Sequence, residues 1–174
     1  MAVMTACIAA LFCCLPAAAE LQFDEGRWRL ELSGGAGIHS GQQDRTGDQL
    51  YEVNIEYEFP ATQHMTLGLR LYPSFIYAGP ETVWGAGAGL SAKIYQKPVE
   101  YRGVFVEAFG NAIGHTPQFE GNSSNFNFLI GAGLGYKFQN DWHVVLKYEH
   151  ISNASIGDRN RGINTIGLGV GFTF

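Results

Sequence analysis

Cysteine is missing from all but the start of this chain: Cys7, Cys13 and Cys14 are the only three in 174 residues. All three lie in an apolar stretch, Val3 to Leu15, that ends in Pro16-Ala17-Ala18-Ala19. An apolar run closed by small residues reads as a secretory signal and its cleavage site, although no Lys or Arg precedes the run. Removing residues 1–19 leaves a mature domain, 20–174, without a thiol. Disulfides and cysteine-based metal sites are thereby excluded, in a compartment that would permit them. No sequence before Cys7 or Cys13 has the form of a normally placed lipobox. The mature chain also lacks an apolar run long enough for a transmembrane helix. Charge is sparse, at 16% of residues with a net −5, and no basic stripe is present, so nucleic acid is not an expected partner.

What the chain does have is glycine, 23 in all, aromatic residues at 13%, and a recurrent period of two. Successive side chains of a strand point to opposite faces, so alternation marks strands. The clearest segment sets Tyr51, Val53, Ile55, Tyr57 and Phe59 against Glu52, Asn54, Glu56 and Glu58. Seven others alternate similarly, beginning near Trp28, Met65, Trp84, Val104, Phe126, Trp142 and Ile166, which gives eight strands. Nearly every strand charge falls opposite the apolar residues, with Arg102, at a strand end, the exception.

The connections separate a soluble sheet from a membrane barrel. Linkers at 60–63, 96–100 and 139–141 are short, whereas those at 37–49, 73–82, 111–124 and 153–163 are long. Short turns at one end, long loops at the other and an even strand number are the pattern of an outer-membrane barrel. The chain ends on Phe174, in an alternating aromatic strand that resembles the C-terminal insertion signal of such proteins. The expected fold is therefore all-β, an eight-stranded antiparallel transmembrane β-barrel in the bacterial outer membrane, behind a cleavable signal peptide. Eight strands leave an interior filled by side chains and no pore. Glu52, Glu56, Arg29, Arg70, Lys93, Glu107, Lys147 and Glu149 are expected inside as a polar plug. Phe75 and Tyr77 fall in the linker 73–82 and read as interface anchors.

One strand carries chemistry. Trp142, Val144, Leu146, Tyr148, His150 and Ser152 share a face, which puts a base and a nucleophile side by side on the apolar, lipid-facing wall. Polar side chains are costly there. Asn164 opens the last strand on the same outward parity, and the hairpin 153–163 folds it back beside His150. With the short turns in the periplasm, the three residues sit at the outer-leaflet end. His39, His64, His115 and His143 are scattered without ligand spacing, so no metal site is expected.

The stretch Glu149-His150-Ile151-Ser152-Asn153-Ala154, followed by Asn160-Arg161-Gly162-Ile163-Asn164, resembles the signature of PagL-type lipid A 3-O-deacylases. The resemblance implies an eight-stranded barrel with its active site on the outer wall. It implies His150 as general base, Ser152 as nucleophile, and Asn153, Ser155 and Asn160 in the segment supporting the oxyanion. Its substrate would be lipid A of lipopolysaccharide, among outer-membrane lipids, with no cofactor and with homodimerisation an open expectation. Two residues depart from the pattern: Asn164 stands where the family has a glutamate, and Ser155 where it has a glycine. Glu149 has inward parity and cannot replace the acid, which leaves Asp158 in the loop as a stand-in. The competing classes are a silent or adhesive barrel and an outer-membrane phospholipase.

Overall fold

The structure is a computed structural model that describes residues 25–39 and 44–174. The expected signal at 1–19 and the three cysteines lie outside the described residues. Eight strands follow in chain order: β1 (Arg27–Gly37), β2 (Gln49–Pro60), β3 (Met65–Ala78), β4 (Thr82–Lys97), β5 (Arg102–Thr116), β6 (Phe126–Lys137), β7 (Trp142–Ser152) and β8 (Ile163–Thr173). Each pairs antiparallel with its neighbours, and β1 closes on β8 from Arg29↔Thr173 to Gly37↔Thr165. Closure leaves no unpaired sheet edge, the condition for crossing lipid with strands.

The alternation read from the sequence is the division between the wall and the interior. Leu32, Leu69, Leu90, Leu134, Leu146 and Leu168 are each more than half exposed, an apolar belt far beyond what a soluble surface carries. The expected inward charges are all buried. Lys147 Nζ lies 2.6 Å from Glu52 Oε2 and 3.3 Å from both Glu31 Oε1 and Glu149 Oε1. Arg29 reaches Glu31 at 2.6 Å and Glu107 at 3.5 Å, and Arg70 stacks 4.2 Å over the Phe109 ring. Glycines facing inward make room for this network. A Cβ on Gly133 would stand 3.0 Å from Glu107 Oε1, and one on Gly169 3.0 Å from Glu31 Oε1.

Turns 61–64, 98–101 and 138–141 lie at one end, and loops 38–48, 79–81, 117–125 and 153–162 at the other. Two expectations need correction. The linker expected at 73–82 shrinks to 79–81, and the one at 111–124 to 117–125, because β3 and β5 run on past the belt. The β3 ladder slips between Tyr72 and Phe75, where Pro73 and Ser74 are both exposed. A bulge of this kind inverts the parity that follows it. Phe75 and Tyr77 therefore point inward, each 1% exposed, and are not interface anchors. They join Tyr72, Ile113, Leu129 and Ile151 in an apolar core at the long-loop end, capped by Phe119 from the β5–β6 loop.

Candidate active site on the outer wall

His150 and Ser152 occupy the last turn of the pleat in β7, on the outer face, and both are half-buried. The β7–β8 register sets His150 directly opposite Asn164. Their side chains meet: His150 Nδ1 is 2.8 Å from Asn164 Oδ1. An amide oxygen only accepts, so Nδ1 carries the proton of this contact, and in the neutral ring the lone pair is on Nε2. Glu149 faces inward and contacts Lys147 and Thr165, as its parity requires. Asp158 is exposed in the loop and makes no hydrogen bond to His150 among the described residues. Asn164, rather than Asp158, is thus the residue held against the imidazole.

Two neighbours of this pair were missed in the sequence. The Tyr148 hydroxyl donates to the same Asn164 Oδ1 at 2.8 Å. Gly162 lies under the ring, where an added Cβ would stand 2.7 Å from His150 Cε1 and 3.5 Å from Nε2. Parity was the available signal for Tyr148, which shares the outward face of β7 with His150; Gly162 precedes β8, in the hairpin, and carried no such signal.

The loop 153–162 is tied down by asparagines. Asn153 is fully buried; its Nδ2 donates to Asn122 Oδ1 at 3.0 Å and to the Arg159 carbonyl at 2.9 Å. Its backbone N–H donates to Asn160 Oδ1 at 3.0 Å, and its Oδ1 accepts from the Ser155 N–H at 2.9 Å. An isolated bridge, Asn122↔Asn160, joins the β5–β6 loop to this hairpin. Ala154 and Ser155 both take left-handed conformations, at φ 52° and 66°. That is a region in which a glycine is at home and a serine is strained. The N–H groups of Asn153 and Ser155 are spent inside the loop, whereas the Ala154 N–H and Asn160 Nδ2 make no hydrogen bond among the described residues.

The Ser152 hydroxyl likewise makes no hydrogen bond among the described residues. Among these residues there is also no group of three His, Cys, Asp or Glu that could hold a metal. Two clefts of about 570 and 280 Å³ lie at the short-turn end, lined by residues such as Arg102 and Lys137 or Glu58 and Thr173, remote from His150. The catalytic candidates sit instead on an open wall, flanked by Phe128 and Ile130 of β6 through their strand pairing with Ser152 and His150.

A profile of the family described as Lipid A 3-O-deacylase (PagL) matches residues 49–173. No curated protein matches the chain. Among solved structures, the outer membrane enzyme PagL superposes with a TM-score of 0.67 at 18% identity, covering 83% of this chain and 98% of that one. The N-terminal β-barrel domain of Pseudomonas aeruginosa OprF follows at 0.53 and 20% identity, covering 89% of this chain and 100% of that one. A de novo designed transmembrane β-barrel gives 0.52 at 9% identity, with 85% and 95% covered. At these identities the structures attest the barrel fold, and the profile attests the kinship. The chain belongs to the PagL lipid A 3-O-deacylase family of outer-membrane hydrolases.

Proposed function

We propose that this chain is a serine esterase that removes the 3-O-linked 3-hydroxyacyl chain from lipid A in the outer leaflet. The observation that carries the reading is the His150–Asn164 contact on the outer wall, because it holds the imidazole in the tautomer a base needs. Nε2 then takes the proton of Ser152 as its oxygen attacks the ester carbonyl. The proton passes to the departing sugar oxygen and leaves an acyl-serine. Water, deprotonated by the same Nε2, frees the 3-hydroxy fatty acid and restores Ser152. The Ala154 N–H and Asn160 Nδ2 are the donors left to meet the oxyanion. Asn153 and Ser155 support them by fixing the loop. Ser152 and His150 need only close on each other once an ester is bound, since contacts in a free site are commonly loose. The chemistry draws on no metal or cofactor, and access is direct because substrate surrounds the barrel.

A second reading, a silent barrel, is favoured by Asn164, which supplies no negative charge to an imidazolium. Mass spectrometry of lipid A separates the two, using a Gram-negative host that makes the chain or its Ser152→Ala variant at matched outer-membrane levels. Loss of one 3-hydroxyacyl group with the unmodified chain alone is the expected result. Intact lipid A in both hosts would overturn the esterase, and fatty acid released from glycerophospholipid would make the chain a phospholipase.

A further inference from the structure

An asparagine beside a catalytic histidine raises a problem that a carboxylate does not. Both carboxylate oxygens accept, so either orientation holds the proton on Nδ1. The two ends of an amide have the same shape and opposite chemistry. With Oδ1 toward the ring, Nδ1 keeps its proton and Nε2 is free to act as base. With Nδ2 toward the ring, the amide donates to Nδ1, the proton moves to Nε2, and the base is lost.

Tyr148 lies two residues before His150 on the same face of β7, and its hydroxyl reaches diagonally across the β7–β8 ladder to Asn164. The single proton of that hydroxyl points at Oδ1 over 2.8 Å, the same atom that His150 meets at 2.8 Å. Turning the amide over would replace this acceptor with an N–H donor. The phenol could then only accept from the amide, and its own proton would lose its partner on an apolar wall between outward-facing Leu146 and Ile166, which makes that orientation the costlier one. We propose that Tyr148 is a positioning residue: by donating to Asn164 Oδ1 it fixes the amide orientation, and through it the catalytic tautomer of His150. This rests on the esterase reading above. It gives the chain a means of working with an amide where a charged acid would need no such help.

The test is Tyr148→Phe, which removes only the hydroxyl, made in the natural chain and in an Asn164→Glu background. The barrels are reconstituted in lipid bilayers. Nitrogen-15 NMR of His150 reads the tautomer without substrate. Release of 3-hydroxy fatty acid from lipid A gives kcat and KM. The expected result is an Nδ1–H tautomer in the natural chain and a mixture in Tyr148→Phe. With it goes a fall in kcat of about tenfold at constant KM, the size of one lost orienting hydrogen bond. In the Asn164→Glu background the tyrosine should matter less than about twofold, since a carboxylate has no wrong end. An unchanged tautomer in Tyr148→Phe, or an equal loss in both backgrounds, would overturn the assignment. If the natural chain released no fatty acid, the esterase reading would fall, while the tautomer measurement would still decide the role of Tyr148.

Discussion

Adding a single methyl group at Gly162 tests whether the site works through the placement of one ring. Gly162 has an ordinary negative φ, so its backbone accepts alanine without strain. The new Cβ would lie 2.7 Å from His150 Cε1, and reaching ordinary contact at 3.4 Å moves the ring by about 0.7 Å. The carbonyl of Ile151, 3.3 Å from the same point, blocks retreat of the methyl along the backbone. A shift of that size takes the His150–Asn164 contact from 2.8 Å toward the limit of a hydrogen bond. It also moves Nε2, the atom that has to reach Ser152 when an ester is bound. Misplacing a catalytic group by about 1 Å costs on the order of 10²-fold in rate. Stability should change little, because the lower entropy of the unfolded chain on exchanging Gly for Ala, about 0.4–1 kcal/mol, is offset by the stretched His150–Asn164 bond and the close Ile151 carbonyl. The expected Gly162→Ala variant is thus a folded barrel of about its parent's stability, with kcat for lipid A deacylation down by about two orders of magnitude. The two readouts are fatty-acid release in bilayers and the urea midpoint of unfolding from vesicles. Activity within threefold of the parent in a folded variant would refute the placement of His150 over Gly162.

Two further perturbations address what holds the site. Replacing Lys147 by methionine leaves Glu52 and Glu149 beside an uncharged side chain, and Glu31 with Arg29 but without its lysine. Breaking a buried ion cluster in this way costs about 3–5 kcal/mol, so the vesicle-unfolding midpoint should drop sharply, and an unchanged midpoint would show that the interior ions contribute no net stability. At Ser155 the left-handed φ of 66° makes glycine the better residue by about 1 kcal/mol. Ser155→Gly should slow hydrogen exchange of the Ser155 and Ile156 amides, which bond to Asn153, by about fivefold; equal or faster exchange would remove strain from the account.

The barrel was legible because lipid and a packed interior impose one rule on every residue of β2, β6, β7 and β8, and a period of two records it. The same rule places His150, Ser152 and Asn164 on one wall. It failed where the backbone leaves the ladder. Pro73 interrupts the alternation and reads as the start of a loop, yet it marks a bulge from which β3 continues, and the parity of Phe75 and Tyr77 inverts there. Tyr148 and Gly162 were hidden differently. A tyrosine on an outer wall reads as part of the aromatic girdle, and a glycine in a hairpin as turn chemistry. Only the register, which pairs His150 with Asn164, brings both onto the imidazole. The burial of Asn153 also depended on a partner far off in the chain, Asn122, that no local pattern announces.

If His150 and Ser152 act as proposed, their place on an open wall changes what concentration means for the reaction. His150 and Ser152 are walled on one side by β6 and β8 and on the other by whatever fills the leaflet. The rate then follows the mole fraction of substrate among neighbouring lipids, and diluting the vesicles in buffer leaves it untouched. Enriching the leaflet with inert lipid slows turnover as a competitor would. The freed acyl chain is released into the same two-dimensional solvent from which the next substrate must come.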